Sequence, residues 1–220
     1  MQGLIGKKLG MTQVFDESGQ CITVTVIEAG PCVVVQRKTK ERDGYDAVQL
    51  GFAEKKEHLT AKSALGRFKK AGIANPMRHM KELEIEEGDE LKEGDKITVS
   101  IFDDVSFVDV TGLSKGRGFQ GVVKRHGMRG GRKTHGSTTH RRVGAIGQCS
   151  TPSRVAKGTR MPGQMGNVRV TQQNLAVVQV KGEDNRLLLG GSVPGPNGSI
   201  ILVRKALKKA GAKQQGSESK

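Results

Sequence analysis

"QCITVTVIEAGPCVVVQRKT", residues 20–39, is the stretch whose reading decides the fold. Ile22, Val24 and Val26 fall on one face and Thr23 and Thr25 on the other, the period of two that marks a strand covered on one side. Gly30-Pro31 breaks the run, and "CVVVQRKT" (32–39) starts a second β-branched run. Reading outward, "MTQVF" (11–15) is a short strand followed by turn chemistry in "DESG" (16–19). "KERDG" (40–44) is another turn, and "YDAVQLGF" (45–52) alternates again. Strand patterns return at "KITVSIF" (96–102), "SFVDVTG" (106–112), "NVRVTQQ" (167–173), "LAVVQVKG" (175–182), "RLLLGGSV" (186–193) and "SIILVRKAL" (199–207), with "PGPNG" (194–198) as a turn. Many short strands joined by Gly- and Pro-rich turns predict a mainly β chain with a closed or nearly closed barrel. The expected barrel core is 1–54, 96–125 and 166–208.

Residues 55–95 break this pattern. "TAKSALGRFKKAG" (60–72) predicts a helix, with Thr60 or Ser63 as its cap and Gly72 at its end. "KELEIEEGDELKEGD" (81–95) is acidic and turn-rich. The segment is expected to be a small α-containing insertion. The tail, 209–220, is low in complexity and expected to be disordered.

Composition points away from a self-contained core. The 220 residues are 35% apolar and 3% aromatic, without tryptophan, against about 45–50% apolar for ordinary domains. The net charge is +15, which calls for a polyanion. No apolar run approaches the ~18 residues of a membrane span, and the first residues carry no apolar signal core. The odd cysteine count (Cys21, Cys32, Cys149) and the absence of metal-type pairs predict reduced thiols in the cytoplasm, with Cys21 and Cys32 buried in strands.

The charge is localised. Residues 110–182 hold 14 Lys or Arg and no Asp or Glu, whereas the rest of the chain has 23 basic against 22 acidic residues. A binding footprint has this distribution; a surface charged for solubility does not. Strands flank the segment on both sides, so 126–165 is an extended basic loop anchored at both ends, and a long structureless loop in a compact domain is usually functional.

Other chemistries fit this segment poorly. "GRGFQG" (116–121) has the G-x-G-x-x-G spacing, but a dinucleotide site needs a following helix and an acid about 20 residues on. The glycine-rich "VVKRHGMRGGRK" predicts no helix, and no acid comes before Glu183. His126, His135, His140 and Cys149 have no metal-ligand spacing and lie among cations, so no metal is expected. A Cys149–His140 dyad lacks a carboxylate to orient it, so no enzyme and no cofactor are expected. What remains is a polyanion. Arg outnumbers Lys nine to five within 110–182, and Arg grips phosphate with two parallel hydrogen bonds and stacks on bases. No basic helix face is present to enter a DNA groove or to lie on a membrane. Folded RNA, read by shape, phosphate and 2′-hydroxyl, suits the composition. The candidate RNA-binding residues are Lys115, Arg117, Lys124, Arg125, His126, Arg129, Arg132, Lys133, His135, His140, Arg141, Arg142, Arg154, Lys157, Arg160 and Arg169. Gln148, Cys149 and Ser150 are uncharged and near the middle of the segment, where they would form its tip.

Several stretches resemble one family. "GLIGKKLGMTQVFD" (3–16) is similar to the N-terminus of the large-subunit ribosomal protein L-three family, and "FDDVSFVDVTGLSKGRGFQGVVKR" (102–125) looks like its signature. Phe102, Asp109, Gly112, Ser114, Gly116, Arg117, Gly118, Gly121 and Arg125 stand at the family's spacings. "HGSTTHRRVGAIGQ" (135–148) and "GTRMPGQMGNVRVTQQNL" (158–175) carry the likeness further, and the length resembles that of the bacterial form. The resemblance implies a translation-factor-like β-barrel with a long irregular extension that enters ribosomal RNA toward the peptidyl-transferase centre. It implies a structural protein of the cytoplasmic ribosome that binds early in large-subunit assembly, contacts neighbouring large-subunit proteins and supplies no catalytic group. No membrane and no small-molecule substrate are implied. In bacterial relatives the glutamine matching Gln148 can be methylated, and the next position, commonly Asn, is Cys149 here.

Overall fold

The computed structural model describes residues 2–85 and 91–209. Part of the acidic turn-rich stretch, 86–90, and tail residues 210–220 lie outside the described residues. In chain order the elements are β1 (Gly3–Phe15), β2 (Cys21–Ala29), β3 (Cys32–Lys38), α1 (Lys40–Asp43), β4 (Ala47–Glu54), α2 (Lys62–Lys70), β5 (Met77–Glu84), β6 (Lys96–Ile97), β7 (Phe107–Leu113), β8 (Phe119–Gln120), α3 (Val122–His126), β9 (Gly163–Gln164), β10 (Arg169–Lys181), β11 (Arg186–Gly190) and β12 (Ile200–Lys205). They fall into two compact units, Met1–Leu113 with Arg169–Lys220, and Ser114–Val168.

The chain is mainly β, and its first unit is built on a closed barrel in the order β1-β12-β7-β10-β11-β2. Every neighbouring pair is antiparallel. Closure removes the exposed edges that an open sheet would offer. Ile5, Ile27, Phe102, Val110, Leu187, Leu189 and Val203 belong to its buried core.

β3 and β4 were expected in the barrel, but they form a separate sheet in the order β5-β4-β3-β6. The reason is competition for an edge. β2 pairs with β1 on one side and with the distant β11 on the other, from Arg186↔Glu28 to Gly190↔Val24. No edge remains for β3. The four-stranded sheet instead shares the barrel's core through Val34, Val48 and Leu50. On its other face Val33 and Val35 pack against Phe68 of α2 and Ile73. This explains the unbroken "CVVV": a strand covered on both faces has no polar side to show.

The insertion is more β-like than its composition predicts, because residues 77–84 supply β5, paired with β4. Its helix starts at Lys62 behind Ala61, and neither Thr60 nor Ser63 caps it. Only Phe68 of α2 is buried, so packing rather than capping holds this helix.

"NVRVTQQ" and "LAVVQVKG", expected as two strands, are one. β10 pairs with β7 in its first half and with β11 in its second, with register shifts between Gln172 and Leu175 and between Val177 and Gln179. Bulges of this kind bend a strand enough to serve two neighbours around a small barrel. At the first bulge the Asn174 N–H donates to Oδ1 of buried Asp109 at 2.8 Å. β1 has its own shift between Lys8 and Gly10. Lys8 is buried there, and its Nζ donates to the carbonyls of Val193 at 3.0 Å and Gly195 at 3.3 Å.

Two residues depart from the pattern of β2. Thr25, on the expected polar face, is fully buried and donates its hydroxyl to the Gly191 carbonyl at 2.6 Å. Cys21, expected inside, is exposed, because β2 begins beyond the rim of the core. Cys32 is buried; its Sγ lies 3.3 Å from the Ile5 carbonyl, and burial pushes the thiol up to about 12.

Two outcomes are expected. Phe102, fully buried in the barrel core, should cost about 3–5 kcal/mol when truncated to Ala, read as a lower midpoint in urea unfolding. Alkylation of the native protein between pH 7 and 9 should modify Cys21 and Cys149 quickly. Cys32 should stay protonated throughout this range and react only on unfolding, as peptide mapping of the alkylated protein will show.

Candidate nucleic-acid interface

The second unit, 114–168, is chemically unlike the first. It leaves the barrel after Leu113 and re-enters at Arg169, which are paired directly across the β7–β10 ladder. A single residue in it, Val122, is buried. A segment with so little apolar interior must be organised by backbone hydrogen bonds and by whatever surrounds it.

Its base is a tight antiparallel arrangement. Ser114 N–H donates to Val168 O at 2.9 Å, Asn167 N–H to Ser114 O at 3.2 Å, Arg117 N–H to Met165 O at 2.9 Å and Met165 N–H to Gly118 O at 3.0 Å. The β8–β9 pairing, Phe119↔Gln164 and Gln120↔Gly163, continues it. Gly166 makes this geometry possible: its φ is +73°, and a Cβ there would lie 2.0 Å from the Lys115 carbonyl.

α3 follows "GRGFQG", where the glycine content predicted no helix. It is five residues long and ends at Gly127, whose φ is +69°. Burial of Val122 anchors this short turn. It presents Lys124, Arg125 and His126 in place of the long helix and downstream acid of a dinucleotide site.

Most of the candidate side chains reach solvent. Lys115, Arg117, Lys124, Arg129, Arg132, Lys133, His135, His140, Arg141, Arg142, Arg154, Lys157, Arg160 and Arg169 are exposed. Arg125 and His126 are half-buried and converge on one acceptor. Arg125 Nη1 donates to the Met161 carbonyl at 2.8 Å, and His126 Nε2 lies 3.0 Å from the same oxygen. Met161 was not among the predicted residues, since a main-chain acceptor leaves no signature in side-chain composition. The two side chains thus tie α3 to the returning strand, and Arg125 keeps further N–H donors for a ligand. His140 Nδ1 lies 2.9 Å from the Arg132 carbonyl, and Gly131 N–H donates to His140 O at 2.9 Å. These bonds hold a second crossing of the chain.

Gln148, Cys149 and Ser150 are exposed. A Cβ on Gly147 would stand 3.6 Å from the Arg154 carbonyl, so the chain folds back on itself across 148–153. Ser153 Oγ donates to the Ser150 carbonyl within this loop.

With no carboxylate in 110–182, the cations of the segment repel one another without internal relief. The ion pairs Lys38–Glu82, Lys40–Asp46 and Arg186–Asp184 lie in the first unit. Among the described residues no three His, Cys, Asp or Glu side chains gather as a metal site would require. No helix among them is long and apolar enough to cross a membrane.

A closed barrel carrying a core-poor, acid-free, arginine-rich segment tied down at both ends defines a class of β protein with a basic insertion. The comparisons with known proteins are specific within that class. The family model for Ribosomal protein L3 matches residues 69–187. The chain is 53% identical over 209 residues to the large ribosomal subunit protein uL3 of Corynebacterium jeikeium (strain K411), covering 94% of this chain and 95% of that one. It is 53% identical over 208 residues to the protein of the same name from Syntrophotalea carbinolica, covering 94% and 99%. With uL3 of Corynebacterium diphtheriae it shares 49% over 209 residues, covering 94% and 95%. The chain belongs to the ribosomal protein L3 family.

Replacing Gly166 by Ala should force the Lys115 carbonyl away and loosen the base of the segment. Limited trypsin digestion should then cut faster at Lys115 and Arg117 than in the parent protein, with the barrel fragments unchanged.

Proposed function

We propose that this protein holds large-subunit ribosomal RNA in place through 114–168, with its barrel as the anchor. As a member of its family it is a structural constituent of the large ribosomal subunit in the cytoplasm and not an enzyme. The observation that carries the RNA reading is the acid-free segment itself, with 14 Lys or Arg across 110–182 and one buried residue across 114–168. Arg117, Arg129, Arg132, Arg141, Arg142, Arg154 and Arg160, with Lys115, Lys124, Lys133 and Lys157, neutralise crowded phosphates and release their counterions. His126, His135 and His140 add contacts to bases and 2′-hydroxyls. Arg169 guards the point of re-entry. Small residues between the cations let the backbone lie close to an irregular RNA surface.

The uncharged loop 148–153 is the tip of this arm and approaches the peptidyl-transferase region as a support, with Gln148 as a methylation site. Because the arm gains order from RNA and RNA gains charge compensation from the arm, the protein acts early in subunit assembly. Neighbouring large-subunit proteins complete its surroundings.

The protein should co-sediment stoichiometrically with large subunits after a high-salt wash; recovery in the free fraction would point instead to a free RNA-binding regulator. Affinity for rRNA fragments should fall steeply with salt. Each Arg→Gln change at a phosphate contact should lower the log–log salt slope by roughly 0.7–0.9, measured by filter binding across salt concentrations. In a Cys21→Ser background, a photoreactive group on Cys149 should crosslink to rRNA in assembled subunits, and crosslinking to protein alone would sink the placement of the tip. Methylation of Gln148 should add the mass of one methyl group to the peptide that contains it.

A further inference from the structure

The face of the barrel farthest in composition from the basic segment carries its own signal. From Leu9 to Gln36 the chain has no Lys, Arg or His, and it has three acids, Asp16, Glu17 and Glu28. From Leu187 to Val203 it has no charged residue at all. In the first unit these stretches are adjacent, because β2 pairs with β1 and β11, and β1 pairs with β12. In a protein of net charge +15, the hairpin that β1 and β2 form beyond Lys8 thus carries no cation.

The same place is apolar and has an open strand edge. β1 pairs with β12 only through Gly3–Lys7, but with β2 from Gly6 to Phe15. Beyond Lys8 the edge of β1 that faces away from β2 has no strand partner among the described residues. Met11 and Phe15, on one face of this hairpin, are 49% and 70% exposed, and Leu9 at the bulge is 39% exposed. Opposite Phe15 stands exposed Cys21. At the tip, Asp16 and Glu17 begin the turn that Gly19 closes onto the Asp16 carbonyl at 2.8 Å. Natural proteins usually blunt such an edge with Lys, Pro or a cover. This one has Thr12, Gln13 and Val14 there, and no Lys or Pro within 9–30.

We propose that the β1–β2 hairpin, Leu9–Ile22, is a protein-docking edge that receives an extended, Lys- or Arg-bearing segment of another protein as an added strand. Main-chain hydrogen bonds along the open edge provide register, Met11 and Phe15 provide apolar burial, and Asp16 and Glu17 select a basic partner. RNA is disfavoured here, since the tip would set two carboxylates against phosphates with no cation to compensate. A second copy of this chain has no Lys or Arg between Leu9 and Gln36 to offer these carboxylates, which disfavours self-pairing along the open edge. The proposal rests on the reading that the chain is built into the large subunit, and the test separates the two.

The test places photoreactive benzoylphenylalanine at position 15 in cells, isolates large subunits, irradiates them and maps the crosslink by mass spectrometry. The expected product joins position 15 to a Lys- or Arg-rich extended segment of one other ribosomal protein. A crosslink to rRNA, a crosslink to a second copy, or none in subunits that contain the labelled chain would overturn the proposal. The Met11→Lys, Phe15→Lys double variant gives a second readout. It should enter large subunits as the parent does, while the crosslinked partner's occupancy after a high-salt wash falls several-fold; undiminished occupancy would overturn the proposal. If the parent chain itself is missing from large subunits, the ribosomal reading fails, and binding of the purified protein to synthetic basic peptides, reduced by the double variant, decides the hairpin's role alone.

Discussion

The antiparallel pairing of β7 with β10 is the constraint on which the rest depends. Leu113 faces Arg169 across this ladder, so the two ends of 114–168 are held at the spacing of neighbouring strands. A free loop of that length would pay closure entropy by itself. Here the barrel pays it, through a ladder flanked by β12 and β11. A segment that repels itself and buries one side chain can therefore still have a defined base, in which Ser114, Arg117, Met165 and Asn167 exchange main-chain hydrogen bonds.

Charge separation along the chain follows from the same division of labour. The chain outside 110–182 is nearly neutral and carries most of the apolar core, while 110–182 carries the excess of cations. Mixing the two would weaken both. Carboxylates placed in 110–182 would pair with its arginines and cancel its charge, and cations on the β1–β2 hairpin would erase its contrast with that segment. The fold keeps opposite chemistries on different stretches of chain.

Much of this was legible in the residues. Period-two alternation in 20–29 and the strand runs after 96 disclosed the β class, and the acid-free stretch disclosed the charged segment without any coordinates. The misreadings have local causes. "CVVV" looked like another barrel strand because a run covered on both faces carries no directional signal. Cys21 looked buried because strand residues past the rim of a core have the same composition as those inside it. The helix at Val122–His126 was hidden by glycines that end it rather than forbid it. The joint hold of Arg125 and His126 on the Met161 carbonyl could not be read at all, since the acceptor is main chain.

The sequence by itself determined the composition-borne properties: a β chain, a localised positive charge, an arm anchored at both ends, and a likeness to one ribosomal family. These are sums and periods over neighbouring residues, and they survive without knowledge of who pairs with whom. Only the tertiary structure decided that β11 takes the free edge of β2, that β3 and β4 are therefore displaced into a second sheet, that β10 bends at Asn174 to serve two neighbours, and that β1 outruns β12 to leave an open edge at Met11–Phe15. Each of these is a competition between segments far apart in the chain for the same hydrogen-bonding edge. A one-dimensional pattern records each strand's readiness to pair, not which rival wins.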